Sequence, residues 1–369
     1  MRRTPRARAP RGRSRVGEQF EVEVGPIAHG GHCVARLPEP DRRVVFIRHA
    51  LPGERVVVEI TEGTEGDRFW RGDAVQVLIQ SADRVAAPCP YAGPGLCGGC
   101  DFQHVLLPRQ RALKADVVRE QLSRLAGLDV DVEVEAVAGD VDGLRWRTRQ
   151  RYVPLPGGAK GMRKHRSHEV VEIDECLLEA PSGPSYTVGG HEFAVAEEGF
   201  WQVHPGAPSV LVETVLDLLG PRPGESALDL YAGVGLFSRF LLDGVGERGR
   251  VVAVEGDSGA AANAAANCPA AEVRAGAVER VLATAYAEPF DLVVLDPPRV
   301  GAKRRVVTQI VDRRPRAVAY VACDPAALAR DVAIFGEHGY PLAKLRAFDL
   351  FPMTHHVECV ALLSPAPAP

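Results

Sequence analysis

Three cysteines, Cys89, Cys97 and Cys100, lie within twelve residues of one another, and glycines occupy much of the chain between them. Closely spaced thiolates on a backbone that can wrap tightly are typical of a metal site. A fourth ligand must come from elsewhere in the chain, and Cys176 is the natural candidate. Four thiolates suit either tetrahedral zinc or an iron–sulfur cluster, and the spacing does not distinguish the two.

A separate cysteine, Cys323, ends an apolar run and is followed directly by Asp324-Pro325. A lone cysteine in such a place is more often a buried packing residue than a nucleophile. Near the C-terminus, Glu358 lies among apolar neighbours, where an acid needs an ion-pair partner or a chemical role. A thiol and a carboxylate held together would suit nucleophilic attack coupled to proton transfer.

A glycine-rich turn follows the apolar run that contains Asp229 and leads into a helical pattern. Its glycines, Gly233 and Gly235, allow a ligand to approach the backbone closely. Further on, Glu255 ends the next apolar run, where a carboxylate can accept hydrogen bonds from ribose hydroxyls. NAD and S-adenosylmethionine both fit such a loop. The acid inside the first run and the lack of a third glycine favour the methyl donor.

The sequence Asp296-Pro-Pro-Arg299 closes another apolar run. Two prolines make a rigid turn, which would hold the Asp296 side chain toward a cleft. Enzymes that methylate exocyclic adenine nitrogens carry a similar acid-Pro-Pro sequence, but an aromatic residue follows it there. The arginine at this position therefore argues against that activity. The alternative is a stiff loop with no chemical role.

Short apolar runs position these groups, and loops and helical patterns alternate with them. This alternation predicts a doubly wound parallel sheet, in which ligands bind at the carboxyl ends of the strands. The candidate residues fall at those ends. The predicted strands are Ala227–Tyr231, Val251–Glu255, Leu292–Asp296 and Ala317–Cys323.

The N-terminal part of the chain has a different pattern, with short alternating strands separated by glycine and proline turns. It predicts a small barrel of the OB kind, with strands at 19–24, 44–47, 55–60 and 74–79. The central part is mixed. There we predict a helix over Pro108–Ala126, strands around Trp146–Val153 and Glu169–Ile173, and a loop over Pro181–Gly190.

Composition is that of a globular protein, with 46% hydrophobic and 25% charged residues among 369. Net charge is only −4, but arginines cluster in the first 15 residues and again over 145–151, where their alternation with Trp146 predicts one basic face of a strand. Basic clusters of this kind supply phosphate contacts. No apolar run is long enough to cross a bilayer, and no secretory signal begins the chain, so we expect a cytoplasmic protein without a membrane partner.

Taken in order, these motifs resemble the TRAM-containing RNA (uracil-5-)-methyltransferase family over nearly the whole chain. The Gly30-Gly31 and Leu51-Pro-Gly-Glu54 turns resemble the TRAM barrel, and Phe200-Trp-Gln-Val203 resembles a segment that contacts the cofactor. Tyr-Val-Ala-Cys323-Asp-Pro resembles the nucleophile motif, and His-Val-Glu358 resembles the motif with the general base.

The resemblance implies a class I (Rossmann-like) methyltransferase domain that uses S-adenosylmethionine, with Cys323 as nucleophile and Glu358 as base. It implies cofactor contacts by Gln202, Tyr231, Glu255 and Asp296, beside those expected of Asp229, Gly233 and Gly235. It also favours a 4Fe-4S cluster over zinc at Cys89, Cys97, Cys100 and Cys176. The implied reaction is methylation of uridine C5 in ribosomal RNA or, less favoured, transfer RNA, by a monomer.

On this basis we expect a disordered basic tail at 1–16, a TRAM domain at 17–80, a small central α+β domain with the cluster at 81–198, and a methyltransferase domain at 199–364. Two other functions would use parts of the same pattern. One is an RNA-binding or RNA-remodelling protein with a vestigial methyl-transfer site, and the intact set of candidate residues speaks against it. The other is a dehydrogenase, which would leave Cys323 and the cysteine cluster unexplained.

Overall fold

The computed structural model describes residues 12–39 and 41–366, and the chain forms two compact units. The barrel unit takes in the described residues up to Leu113, together with Arg151–Cys176 and Met353–His355. The sheet unit takes in Lys114–Gln150, Leu177–Pro352 and the described residues from His356 onward. Most of the basic tail predicted at the N-terminus, and the last three residues of the C-terminus, lie outside the described residues.

The barrel unit begins with a six-stranded sheet in the order β1-β5-β6-β4-β3-β2, in which only β4 and β6 pair in parallel. Alternating residues face its core, and Val56, Val58 and Ile60 are fully buried. All four predicted strands are present, although the last begins earlier than predicted because consecutive buried residues in its first half break the alternation. The strands are β1 (Gln19–Glu23), β2 (Ile27–Ala28), β3 (His32–Arg36), β4 (Val44–Arg48), β5 (Arg55–Glu62) and β6 (Phe69–Ile79).

The central part of the chain is shared between the two units. Its predicted helix is present as α1 and begins one residue earlier than predicted. The predicted loop over Pro181–Gly190 also holds the first strand of a short hairpin. The elements are α1 (Leu107–Ala126), β7 (Val134–Glu135), β8 (Val153–Pro154), a 3₁₀ turn (Pro156–Gly158), β9 (Lys160–Arg163), β10 (Val170–Ile173), β11 (Thr187–Val188) and β12 (His191–Glu192).

The predicted strand over Trp146–Val153 is wrong. Only its last residue lies in a strand, and Arg147 forms a single isolated bridge. The backbone leaves the extended conformation at Arg145, which has a positive φ of 57°, and the Arg149 guanidinium donates to the carbonyls of Glu197 and Gly199. The alternating arginines therefore do not form one basic strand face.

The sheet unit confirms the predicted doubly wound sheet. It has eight strands in the order β15-β14-β13-β16-β17-β19-β18-β7, and β13 to β17 run in parallel. From Ala207 onward its elements are α2 (Ala207–Leu219), β13 (Ser226–Leu230), α3 (Leu236–Val245), β14 (Arg250–Glu255), α4 (Ser258–Asn267), β15 (Glu272–Ala275), α5 (Val278–Thr284), β16 (Leu292–Leu295), α6 (Lys303–Asp312), β17 (Ala317–Ala322), α7 (Pro325–Glu337), β18 (Leu342–Phe348) and β19 (Glu358–Leu363).

Burial on both faces explains why the central strands are continuous apolar runs. All four residues of β16 and all six of β17 are buried. Successive residues of a strand enter separate cores, since Leu228 packs in one hydrophobic cluster and Ala227 in the other. Helices cover the two faces in the manner of parallel α/β sheets. No helix among the described residues is long and apolar enough to cross a membrane.

A fully buried ion pair joins α1 to the residue that follows β18. The Lys114 Nζ atom donates to Asp349 Oδ1 at 2.5 Å and to the Phe351 carbonyl at 3.0 Å. The second carboxylate oxygen of Asp349 is buried without a hydrogen-bond partner among the described residues. Removal of the lysine would therefore leave a charge that neither water nor protein stabilises.

We predict that Lys114→Met lowers the free energy of unfolding by about 3–5 kcal/mol, because it leaves the Asp349 carboxylate buried and unpaired. The double variant Lys114→Met/Asp349→Leu should recover most of that loss. The matched control is Lys344→Met, since the Lys344–Asp217 pair is more than half exposed on both sides. Denaturant titration should show a change below about 1 kcal/mol for that control. An equal loss of unfolding free energy in Lys114→Met and Lys344→Met would contradict this account.

Candidate active site

The carboxyl ends of the parallel strands bring the predicted site residues to one edge of the sheet. Tyr231, Glu255, Asp296 and Cys323 lie at or directly after the ends of β13, β14, β16 and β17. Strand β19 runs antiparallel to β17, so its first residue, Glu358, reaches the same edge. The topology thus collects residues that are up to 127 positions apart in the chain, from Tyr231 to Glu358.

Cys323 and Glu358 come next to each other across the β17–β19 pair. Ala322 pairs with Cys359, and the following residues on the two antiparallel chains are Cys323 and Glu358. Opposed residues point to the same face of a sheet, with Cβ atoms about 4.5–5.5 Å apart. Burial raises the pKa of the Cys323 thiol to about 11, and the nearby Glu358 and Asp296 carboxylates add to this shift.

Two acids and one cation surround the thiol. Burial raises the pKa of Asp296 to about 7. Burial, and then the nearby Asp296 carboxylate, raise the pKa of Glu358 well above its usual value, whereas Arg299 lowers it. Arg299 Nη2 also lies 3.3 Å from His356 Nε2, which places a cation–imidazole contact beside the acids. Strongly shifted acids in one cleft are typical of a site that moves protons.

The glycine-rich loop after β13 has the left-handed backbone that its glycines permit, with φ of 56° at Gly233 and 88° at Gly235. A Cβ atom on Gly235 would lie 2.9 Å from the Cys268 sulfur, so only glycine fits there. The Glu255 carboxylate accepts from the Gly233 amide at 2.8 Å and from the Asp257 amide at 2.7 Å. The loop is therefore fastened to the end of the neighbouring strand.

Asp229 lies beneath this loop and is 1% exposed. One carboxylate oxygen accepts from the Ser238 hydroxyl at 2.6 Å, and the other is buried without a hydrogen-bond partner among the described residues. Burial raises the pKa of Asp229 to about 7. This second oxygen of Asp229 is therefore available to accept a hydrogen bond from a ligand or a water molecule.

The segment predicted to contact the cofactor, Phe200–Val203, divides its side chains between core and surface. Trp201 is buried and donates to the Ser185 carbonyl at 3.1 Å, whereas Phe200 is 69% exposed. Gln202 is half-buried, so its exposure lies between that of Trp201 and that of Phe200. Thr148 holds the next residue, since its amide and hydroxyl both donate to the Val203 carbonyl at 2.9 Å. The buried tryptophan thus fixes the backbone from which Gln202 projects.

Sequence reasoning missed the residues that hold the loop after Asp296. Asp331 on α7 accepts from the Tyr320 hydroxyl and from the Ala302 amide, both at 2.7 Å. A Cβ atom on Gly301 would lie 2.6 Å from this carboxylate. The only signal in the sequence was an acid within the apolar pattern of a helix.

At the glycine loop, Asn267 also holds the backbone in place, since its side-chain amide donates to the Val234 carbonyl at 2.8 Å.

The four predicted metal-binding cysteines belong to the barrel unit and are half-buried. The Gly99 amide donates to the Cys97 sulfur at 3.4 Å, and the Gln103 side chain donates to the Cys100 sulfur at 3.3 Å. Burial raises the pKa of Cys100 to about 12, with smaller contributions from Cys176, Cys97 and Cys89. Across residues 12–39 and 41–366, no three His, Cys, Asp or Glu side chains lie close enough to hold one metal ion.

Comparison with known proteins identifies two regions of the chain. The family model of the TRAM domain matches residues 13–82, which contain the six-stranded sheet. The family model described as tRNA (Uracil-5-)-methyltransferase matches residues 278–366, which contain Cys323 and Glu358. Both matches agree with the motifs on which the family resemblance depends.

Whole-chain relatives extend this result. An uncharacterized RNA methyltransferase of Streptomyces avermitilis is 44% identical, with 95% of this chain and 99% of the relative covered. The 23S rRNA (uracil(1939)-C(5))-methyltransferase RlmD of Acinetobacter baylyi is 29% identical, with 94% of each chain covered.

Among solved structures, the tRNA (uracil-54, C5)-methyltransferase of Pyrococcus abyssi, in complex with S-adenosyl-L-homocysteine, matches with a TM-score of 0.66 at 21% identity. The match covers 92% of this chain and 99% of that one. The predicted class I methyltransferase fold with an N-terminal TRAM domain is confirmed. The chain therefore belongs to the TRAM-containing RNA (uracil-5-)-methyltransferases, which are S-adenosylmethionine-dependent enzymes.

Proposed function

We propose that this enzyme methylates carbon 5 of a uridine in ribosomal RNA through a covalent bond between Cys323 and carbon 6 of the ring. The observation that carries the proposal is the placement of Cys323 opposite Glu358, at the edge of the sheet that also bears the glycine loop. A nucleophile and a base on the same face of adjacent strands can act on the two neighbouring carbons of one ring.

The chemistry needs both groups because carbon 5 of uracil is a weak nucleophile. The Cys323 thiolate adds to carbon 6, and the ring becomes an enolate whose carbon 5 is nucleophilic. S-adenosylmethionine, when bound, supplies an electrophilic methyl group. The Glu358 carboxylate then takes the proton from carbon 5, and the electron pair of that C–H bond restores the ring double bond as the sulfur–carbon 6 bond breaks. Asp296 would orient the ring by hydrogen bonding to its polar edge.

The cofactor would be held by the loops at the carboxyl edge. Gly233 and Gly235 leave room for its close approach, and Gln202, Tyr231, Glu255 and Asp296 would supply polar contacts. Asp229 would act from below through the spare oxygen of its buried carboxylate. The target uridine must leave its base stack to reach this edge.

Ribosomal RNA is the substrate class that we favour. The support is the relative named as a 23S rRNA methyltransferase, which aligns over 94% of both chains. A TRAM domain and exposed cations in the barrel unit would contribute contacts to phosphates. Transfer RNA is the alternative, since the Pyrococcus neighbour acts on it, but that likeness is at 21% identity.

We predict that Cys323→Ala abolishes 5-methyluridine formation while RNA binding is retained, since the thiol makes the bond to the ring. Glu358→Gln should bind RNA, form the covalent RNA–protein adduct and fail to release it. Denaturing gels detect the adduct, and mass spectrometry of nucleosides from separated rRNA and tRNA measures the product and names its source. Glu337→Gln, which changes an exposed acid paired with Arg304, is the matched control. Full activity of Cys323→Ala would exclude the covalent route.

The raised pKa of the thiol gives a second prediction. With a pKa of about 11, about one Cys323 thiol in 10⁴ is ionised at pH 7 in the absence of RNA. Alkylation of Cys323 by iodoacetamide, followed by peptide mass spectrometry, should therefore speed up about tenfold per pH unit between pH 7 and 10. At alkaline pH, Glu358→Gln should label faster than the wild type because a neighbouring negative charge is gone. Rapid, pH-independent labelling would contradict this placement.

We also propose a 4Fe-4S cluster on Cys89, Cys97, Cys100 and Cys176. A single zinc ion with sulfurs at about 2.3 Å would need the thiols to converge tightly. Four cysteine thiolates are also the donor set that would hold a 4Fe-4S cluster. The support is that all four thiols lie in one unit, near enough to affect the same pKa, and that two of the sulfurs already accept N–H hydrogen bonds. The proposed reaction transfers no electrons, so the cluster would have a structural role.

The prediction is that protein purified without oxygen contains about four irons and four sulfides per chain, and that Cys100→Ser loses them. The matched control is Cys33→Ser, which changes a buried cysteine of the same unit whose sulfur contacts the Ala50 carbonyl at 3.3 Å. That variant should keep its iron. One zinc per chain with no iron would overturn the assignment.

A further inference from the structure

Two phenylalanines lie on the outward face of the six-stranded sheet in the barrel unit. Val45, Ile47 and Trp70 are their neighbours along β4 and β6 and are fully buried. Because successive residues of a strand point to opposite faces, Phe46 and Phe69 point away from that core. Phe69 is 39% exposed. Outward positions of such a sheet are usually polar, so a large exposed ring there needs a reason beyond the fold.

The two rings contact each other and a cation. Their centroids are 5.2 Å apart, and their planes are nearly perpendicular. The Arg71 guanidinium lies over the Phe69 ring, 5.0 Å from its centroid. Arg71 also forms an ion pair with Glu62, its partner on β5, at 3.1 Å. An arginine beside an exposed ring offers two flat surfaces on which a nucleobase can stack.

A cavity of about 430 Å³ lies beside Phe69. It is lined by Phe69 and Arg71 and by residues of the loop between β5 and β6, among them Gly63, Gly66 and Arg68. Cavities of this size are typical of sites for small ligands. The cavity therefore has room for a single nucleobase next to the exposed ring.

The rings continue along the same unit beyond Phe46. The His32 centroid lies 6.4 Å from that of Phe46, and the His165 centroid lies 5.7 Å from that of His32. A second cavity, of about 610 Å³, is lined by both histidines and shares Glu62 and Arg71 with the first. Its lining contains cations and acids, a mixture that offers hydrogen-bond donors and acceptors to a neutral base. There is thus room for more than one nucleotide.

Cations border the Phe69 end of this surface. Arg36 is aligned with Val44 and Phe69 across β3, β4 and β6, which places its Cα atom about 10 Å from that of Phe69. Arg68 precedes Phe69 in the chain. Both arginines are exposed, and neither side chain pairs with an acid among the residues that the structure describes. They are therefore available to the phosphates of a strand whose bases contact the rings.

We propose that this surface binds an unpaired segment of the substrate RNA, with bases stacked on Phe69 and Phe46 and phosphates held by Arg36 and Arg68. We call these four side chains the ring face. A duplex keeps the flat sides of its bases stacked inside the helix and would leave the rings without a partner. The inference rests on the proposed function, because it takes RNA as the substrate. It adds an RNA contact made by residues of the barrel unit alone.

The test is fluorescence anisotropy of the full-length enzyme with a labelled, unstructured RNA of about 12 nucleotides, and with a duplex of the same sequence. S-adenosylmethionine is left out, so that the measurement does not depend on methyl transfer. Phe69→Ala should weaken binding of the single strand about 5- to 100-fold, the usual effect of losing one stacked base. Duplex binding should stay nearly unchanged. Phe69→Tyr keeps a ring and should bind as the wild type does.

Phe69→Leu separates stacking from packing, because leucine keeps an apolar contact with Phe46 but has no flat surface. It should bind the single strand nearly as poorly as Phe69→Ala, and it remains informative if the alanine variant folds poorly. The matched control is Ile79→Ala, which removes an apolar side chain that is 53% exposed at the other end of β6. That variant should bind both RNAs normally.

An arginine variant tests the phosphate contacts separately. Arg36→Gln should make the slope of log affinity against log salt concentration shallower by about 0.7 for the single strand, which corresponds to one lost phosphate contact. The matched control is Arg55→Gln, which removes an exposed arginine of β5 that pairs with Glu21 at 3.2 Å. The slope should not change in that control.

The inference is overturned if Phe69→Leu binds the single strand as tightly as the wild type, or if Phe69→Ala weakens single-strand and duplex binding alike. Turnover is measured apart from binding, and Phe69→Ala should raise the KM for RNA more than it lowers kcat. If the wild-type enzyme methylates no uridine in rRNA or tRNA, the proposed function has failed. The binding comparison still decides the role of the ring face in that case, so the two failures are distinguishable.

Discussion

The antiparallel pairing of β17 with β19 is the constraint on which the whole site depends. The parallel strands of a doubly wound sheet all end at one edge, and a strand inserted in the opposite direction begins there. Because Ala322 pairs with Cys359, the residue after β17 and the first residue of β19 face each other. A shift of the register by one residue would turn one of the two side chains to the other face of the sheet. The extensive burial of both strands makes such a shift costly.

Burial also determines the electrostatic character of the edge. Burial raises the pKa of Asp229 and that of Asp296 to about 7, and burial together with the nearby Asp296 carboxylate raises the pKa of Glu358 well above its usual value. The Arg299 cation lowers the pKa of Glu358, but it offsets only part of that rise. In the absence of ligands, the Cys323 thiol therefore holds its proton at neutral pH. Binding of a cationic sulfonium and an RNA base would change this balance, which links activation of the site to its substrates.

Much of the fold could be predicted from the sequence because local patterns encode it. Strands such as β16 and β17 are continuous apolar runs, since both of their faces are buried, and glycines mark the turn at Gly233 and Gly235. The strand predicted over Trp146–Val153 was wrong because Arg149 bonds to carbonyls some 50 residues away. The contact of Asp101 with His355, 254 positions apart, and the anchoring of a loop by Asp331 likewise depend on the folded chain. No local pattern carries that information.

Trapping with RNA that contains 5-fluorouridine is the most direct test of the central claim, that Cys323 bonds to the ring while Glu358 removes the proton of carbon 5. Fluorine at carbon 5 cannot be removed as a proton, so the wild-type enzyme with S-adenosylmethionine should stall as an adduct that survives denaturation. Peptide mass spectrometry should place the RNA on Cys323, and Cys323→Ala should give no adduct. The absence of an adduct from iron-replete, RNA-bound enzyme, or attachment at another residue, would contradict the account.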